Sequence, residues 1–156
     1  MNSLWDESYK ASEIRSPKNI LDEQCTYLFD QTNGQIIAKN IIMKKNKRDF
    51  EYRDIDDNII NEITQDDLFL YEFILTSKII PNYKYRIMTY EYEIPFYPVY
   101  VSLDDEISSD INVSDEINCE SEDDFILLLA KILKSKKVNN VISSLLALIR
   151  DEINNN

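Results

Sequence analysis

Residues 82–103 read NYKYRIMTYEYEIPFYPVYVSL, and this stretch decides the fold. It holds six of the ten tyrosines of the chain, and apolar side chains recur at alternate positions along much of it. A period of two predicts β-strands with one buried face. The apolar positions change parity near Met88, which predicts a bulge or a strong twist, and Pro95 divides the stretch into two strands. The tyrosines suit either a half-buried sheet face or a surface that binds another protein.

Further strands are predicted before this stretch. Residues 68–77, LFLYEFILTS, are apolar at positions of both parities, which is typical of a strand with neighbours on both sides. An earlier strand is predicted from the alternate positions Ile37, Lys39, Ile41 and Met43. Between these two strands, KKNKR at residues 44–48 indicates a hairpin loop or exposed turn. Phe50 and Tyr52 are predicted to continue the earlier strand or to belong to a strand that pairs with it. Residues 54–67 are predicted to form a loop or a short helical turn.

Three helices are predicted around these strands. Ser16 is a favourable N-cap before a proline, and Gly34 suits the left-handed residue that follows a helix. Ser121 begins a second helix with three acidic residues in its first turn. The apolar stripe of this helix changes phase near Ser135, so we predict a break there and a third helix towards the C-terminus.

Together these elements predict a single α+β domain over residues 1–156. It consists of an N-terminal helix, an antiparallel sheet of four to five strands, and two C-terminal helices packed on one face of the sheet. Residues 1–15 form an N-terminal arm, and residues 104–121 form an acidic loop or edge segment. The apolar residues of the arm are expected to tether it to the body: Leu4, Trp5, Tyr9 and Ile14.

The sequence predicts a cytoplasmic setting. No apolar run approaches the length of a membrane span, and no secretory signal is recognisable at the N-terminus. Two cysteines, Cys25 and Cys119, are too few for a disulfide scaffold, so we expect free thiols in a reducing compartment.

Composition argues against most catalytic chemistry. The chain has no histidine, which removes the usual base of nucleophilic catalysis and the commonest metal ligand. Its single glycine cannot build a phosphate-binding loop. We therefore expect no catalytic residues, no metal and no cofactor. An enzyme that uses carboxylates and a metal remains an alternative, through three local sets: Asp66 with Asp67, Glu91 with Glu93, and Asp104 with Asp105 and Glu106.

The net charge of −12 is concentrated in one segment. Residues 104–124 hold ten acidic residues and no basic one. This charge opposes direct binding to nucleic acid or to an anionic membrane. A nucleic-acid site would have to use the basic residues Lys44, Lys45, Lys47 and Arg48. The acidic segment is either a solvated loop or a docking surface, and the apolar residues within it favour docking on a basic protein.

We accordingly expect a non-enzymatic protein that binds a basic partner, such as a nuclease or a nucleic-acid-binding protein. Inhibitors, immunity proteins and antitoxins of bacterial or phage conflict systems work in this way. The expected partner-binding residues are Asp104, Asp105, Glu106, Asp110, Asp115, Glu116, Glu120 and Glu122, with Tyr90 and Tyr92 facing outward. The alternative is a structural or assembly protein of bacterial or phage origin that self-associates, for example as a homodimer, through the tyrosine sheet or through residues 138–149.

Overall fold

A five-stranded antiparallel sheet is the centre of this computed structural model, which describes residues 1–43 and 69–155. The strands lie in the sheet in chain order: β1 (Ile37–Ile42), β2 (Phe69–Thr76), β3 (Tyr85–Tyr92), β4 (Val99–Leu103) and β5 (Glu116–Cys119). The helices are α1 (Pro17–Gln31), α2 (Asp105–Asp110), α3 (Glu122–Leu133) and α4 (Lys136–Asn154). The α+β prediction, with one helix before the sheet and two after it, is confirmed. The features predicted for residues 44–68 lie outside the described residues.

The first helix begins and ends where its sequence signals predict. The side chain of Ser16 accepts a hydrogen bond from the backbone N–H of Asn19, and Pro17 occupies the first turn, where no backbone donor is needed. Beyond the helix, Gly34 adopts φ of 75° and donates its backbone N–H to the carbonyl of Phe29 at 2.8 Å. An added Cβ at Gly34 would lie 3.0 Å from the Phe29 ring, so both the backbone and the available space favour glycine.

The two C-terminal helices are separated at Ser135, as the phase change predicts. The side chain of Ser121 caps α3 by accepting from the N–H of Asp124 at 3.1 Å. The side chain of Ser135 caps α4 by accepting from the N–H of Val138 at 3.3 Å. Each cap satisfies a backbone donor that the first turn leaves free. The two helices can therefore place separate apolar stripes against one core.

One face of the sheet forms that core with the helices. The strands contribute Ala38, Tyr71, Phe73, Leu75, Ile87, Met88, Tyr90, Tyr92, Val99, Val101, Leu103 and Cys119. The helices contribute Ile20, Leu21, Ile107, Phe125, Leu128, Leu129, Ile132, Val138, Leu145 and Ile149. In β1 the buried side chain is that of Ala38, whereas Lys39 and Ile41 are exposed. We call the opposite face of the sheet the outer face.

The N-terminal arm does not pack on the body in the way that its apolar residues predict. The side chain of Trp5 is 77% exposed, and Leu4, Tyr9 and Ile14 are exposed as well, so the expected tether is wrong. The arm is held at its end instead, by Arg15. The Arg15 guanidinium pairs with Glu23 at 2.8 Å and with Glu122 at 3.0 Å. Among the described helices, none is long and apolar enough to cross a membrane.

Candidate functional site

Tyr90 and Tyr92 belong to the core, so the expectation that they face outward to bind a partner is wrong. Tyr90 is 1% exposed and Tyr92 is 4% exposed. The Tyr90 ring stacks on Tyr71 with 5.3 Å between ring centroids. Burial raises the pKa of Tyr90 above its usual value and raises the pKa of Tyr92 to about 12. These rings stabilise the sheet and are not available to a partner.

A bulge in β3 explains the error. Phe73 pairs with Met88, but the next residue of β2, Ile74, pairs with Arg86. Ile87 is therefore the extra residue of a bulge, as the parity change near Met88 predicts. A bulge lets residues of the other parity continue on the same face of the sheet. The even-numbered tyrosines after the bulge consequently share the inner face with Ile87.

The outer face of the sheet carries a shallow depression across β3, β4 and β5. Its volume is about 560 Å³, and the side chains of its wall include Thr89, Glu91, Tyr100, Glu116 and Asn118. Tyr100 is the exposed tyrosine of this surface, at 42%. The part of the lining that the structure describes contains two carboxylates and no basic side chain. This arrangement suits a ligand that is both positively charged and able to pack on an aromatic ring.

Several acidic residues of the segment 104–124 are engaged within the protein. Glu106 pairs with Lys137 at 2.9 Å. The carboxylate of Asp110 accepts the backbone N–H of Lys136 at the start of α4. Glu122 pairs with Arg15, and hydrogen bonds from Arg15 lower the pKa of the Glu122 carboxyl. These carboxylates attach α2 and the arm to the body.

Asp104 also has an internal role. The hydroxyl of Tyr85 donates a hydrogen bond to its carboxylate at 2.8 Å. Burial, and then this hydrogen bond, raise the pKa of Tyr85. The ammonium of Lys137 lies 5.6 Å from the centroid of the Tyr85 ring. Half of the eight acidic residues predicted to bind a partner therefore contact other parts of this chain.

The remaining four, Asp105, Asp115, Glu116 and Glu120, are exposed. Within residues 1–43 and 69–155, their side chains make no ion pair or hydrogen bond. Three of them surround β5, because Asp115 precedes this strand, Glu116 begins it and Glu120 follows it. We call Asp115, Glu116 and Glu120, together with Glu91 and Tyr100 on the neighbouring strands, the acidic edge. Glu91 and Tyr100 were not predicted from the sequence to bind a partner. The pairing of β3 with β4 places them side by side.

Other chemistry is sparse in the part of the chain that the structure describes. No group of three or more potential metal ligands occurs there. Asp66 and Asp67 lie outside the described residues, as do the basic residues proposed for a nucleic-acid site. Cys25 and Cys119 are free thiols, and burial raises the pKa of each to about 11, which leaves little thiolate at neutral pH.

A scan against protein-family models found no match to this chain, and comparisons with curated proteins and with solved structures found none either. Its function must therefore be inferred from the chemistry of its surface.

Proposed function

We propose that this protein is a non-enzymatic binding protein whose acidic edge engages a basic partner protein. The observation that carries the proposal is the position of Asp115, Glu116 and Glu120. These three exposed carboxylates have no ionic partner within the described residues, and they surround a strand next to the depression that contains Tyr100. Carboxylates steer a positively charged partner, and an aromatic ring beside them supplies contact area once it has docked.

The class of partner follows from the sign of the charge. The same surface repels phosphate, so nucleic acid and anionic lipid are poor ligands for it. A protein with a basic cleft, such as a nuclease or a nucleic-acid-binding protein, complements it. By covering such a cleft, this protein would act as an inhibitor, immunity protein or antitoxin in a bacterial or phage conflict system. We place it in the cytoplasm, where Cys25 and Cys119 remain reduced.

The alternatives have less support. Self-association through residues 138–149 would compete with the core of the protein, since Val138, Leu145 and Ile149 are in the core and Val141, Ile142 and Leu146 pack against it. Self-association through the tyrosine sheet would lose Tyr90 and Tyr92 for the same reason. A carboxylate enzyme that uses Asp104, Asp105 and Glu106 would have to release Asp104 from Tyr85 and Glu106 from Lys137.

The test compares two variants with the same change in charge. The edge variant carries Asp115→Asn, Glu116→Gln and Glu120→Gln. The control variant carries Asp30→Asn, Glu13→Gln and Glu152→Gln, three exposed acidic residues outside the acidic edge. Immobilised wild-type protein is expected to capture a basic protein from a lysate of its source, and rising salt is expected to weaken the capture.

The edge variant is expected to lose the captured protein, and the control variant is expected to retain it. Equal loss in both variants would show that capture depends only on net charge. Full capture by the edge variant would show that the partner binds elsewhere. Either result would overturn the proposal.

A further inference from the structure

Among the described strands, β5 has one side without a neighbour, which is free to form backbone hydrogen bonds. It is the last strand of the sheet, and within residues 1–43 and 69–155 it pairs only with β4. The N–H of Leu103 donates to the carbonyl of Asp115 at 2.7 Å, so the backbone groups of Asp115 point towards β4. The backbone N–H and C=O groups of successive residues point to opposite sides of a strand. The backbone groups of Ile117 therefore also point towards β4, while those of Asn118 point away from the sheet. The outward N–H of Glu116 is already accepted by the Ser114 hydroxyl at 3.3 Å.

Asn118 is therefore the centre of this free side. No described residue forms a backbone hydrogen bond with its outward N–H or C=O. The side chains of Glu116 and Asn118 are exposed and line the depression on the outer face. A chain added beside β5 would exchange backbone hydrogen bonds with Asn118 and place every second side chain on the outer face, next to Glu116 and Asn118 at the border of this depression. Proteins that recognise extended peptides combine these two features, because the backbone bonds supply affinity and the side-chain sites supply selectivity.

Charge decides between the possible occupants of this edge. A second copy of this protein would bring its own Asp115, Glu116 and Glu120 against the same three residues. Like charges placed opposite each other on neighbouring strands are destabilising. A segment with lysine or arginine at alternate positions would instead place its cations beside Glu116, on the face of the sheet that carries the depression.

We infer that the partner binds by adding an extended basic segment as a sixth strand beside β5. This inference rests on the proposed function and specifies it further, since the acidic edge could also dock on a folded basic surface without strand addition. The two modes differ in one measurable respect. Strand addition requires the backbone N–H of Asn118, whereas docking by charge alone does not.

The variant Asn118→Pro separates them. Proline removes the outward N–H and leaves the charge of the edge unchanged. It is tolerated where the N–H of an edge strand faces solvent, and the preceding residue, Ile117, already has the extended backbone that proline requires. Asn118→Ala is the matched control, because it removes the side chain and keeps the N–H. Unchanged amide resonances of β4 would show that both variants keep the sheet intact.

The probe is a short acetylated and amidated peptide of alternating lysine and valine, titrated into isotope-labelled protein and followed by NMR. We expect the largest shifts at Glu116, Asn118 and Glu120, and slower hydrogen exchange at the amide of Asn118. Asn118→Ala loses a side chain at the border of the depression but keeps the N–H, so it is expected to bind clearly more tightly than Asn118→Pro and to keep the slower exchange at the amide of residue 118. Asn118→Pro, or a peptide whose backbone amides are N-methylated at alternate residues, is expected to bind about tenfold more weakly, since at least one backbone hydrogen bond is lost.

Each other outcome overturns the inference in a distinguishable way. Equal binding by wild type and Asn118→Pro, with loss of binding by the edge variant, would leave the proposed function standing without strand addition. If the edge variant bound the peptide as tightly as the wild-type protein does, both the proposed function and strand addition would be contradicted. Shifts located on another surface, or no shifts at all, would show that β5 does not accept a basic strand.

Discussion

The hydroxyl of Tyr90, on β3, donates a hydrogen bond of 2.8 Å to the side-chain oxygen of Asn40, on β1. The bond spans the intervening strand β2, where Tyr71 stacks on the Tyr90 ring. The amide of Asn40 in turn donates to the carboxylate of Asp22 on α1 at 2.8 Å, and Lys18 pairs with the same carboxylate. One buried tyrosine thus connects two strands to the first helix.

Removing the Tyr90 hydroxyl should destabilise the protein without changing its shape. Tyr90→Phe leaves the partly buried oxygen of Asn40 without this partner, and the cost is expected to be about 1–2 kcal/mol of unfolding free energy. Urea denaturation measures it. Tyr100→Phe is the control, because the Tyr100 side chain is exposed on the outer face. An equal loss of unfolding free energy in both variants would show that the hydrogen bond to Asn40 does not contribute measurably to stability.

Buried tyrosines should also make the fold sensitive to alkali. Burial raises the pKa of Tyr92 from 10.0 to about 12, and raises that of Tyr90 as well. The unfolded chain releases these protons at lower pH than the folded chain does, so ionisation favours unfolding. The contribution of Tyr92 is complete below pH 10 and is lost as the pH rises through about 12, whereas the more strongly raised pKa of Tyr90 means that its contribution falls over a wider alkaline range.

The unfolding free energy, measured by urea denaturation on both sides of pH 10, is expected to fall on the alkaline side. Tyrosine absorbance, recorded in parallel, should show late ionisation in the folded protein. A steeper alkaline loss in Tyr90→Phe than in the wild-type protein would contradict this account, because the variant has one fewer buried hydroxyl to ionise.

Local sequence signals were sufficient for most of the fold. The caps at Ser16, Ser121 and Ser135 act on residues three positions away, so the sequence shows both partners together. The direction in which the Tyr90 side chain points could not be predicted from neighbouring residues. It depends on the pairing of Ile74 with Arg86, which sets the bulge, and pairing between strands is a property of the assembled sheet.

The candidate site was predictable only in part for the same reason. The sequence composition identified the acidic segment. Which acidic residues of that segment stay exposed depends on contacts with distant parts of the chain. Glu122 is paired by Arg15, which is 107 positions away in the chain. Glu91 and Tyr100 join the site because β3 pairs with β4. Short elements such as α2 have too few residues to show a period.

A buried carboxylate on the outer face should make the fold sensitive to acid. Glu72 accepts hydrogen bonds from Lys84 and Arg86, both at 2.7 Å, and these lower the pKa of its carboxyl from 4.5. A carboxyl with a lowered pKa in the folded state contributes stability above its unfolded pKa and loses it as the pH falls. The wild-type protein is therefore expected to lose stability below about pH 4.5.

Glu72→Gln isolates this contribution. At neutral pH the variant is expected to be less stable by about 1 kcal/mol, since Lys84 and Arg86 are half exposed and regain water when the charge is removed. Its unfolding free energy should depend less on pH between neutral and acid conditions. An equally steep acid loss in the variant would assign the effect to other carboxyls.

The acidic edge is expected to destabilise the protein on its own, because its charges are neutralised only when a basic partner binds. Its carboxylates repel one another in a chain of net charge −12. The edge variant, with Asp115, Glu116 and Glu120 neutralised, is expected to melt roughly 1–3 °C higher than the wild-type protein at low salt, and the difference should vanish at high salt. Glu106→Gln should instead lower the melting temperature, because Glu106 loses its bond to Lys137. If neutralising the edge destabilised the fold as Glu106→Gln does, its carboxylates would be structural, and they would no longer be candidates for contact with a partner.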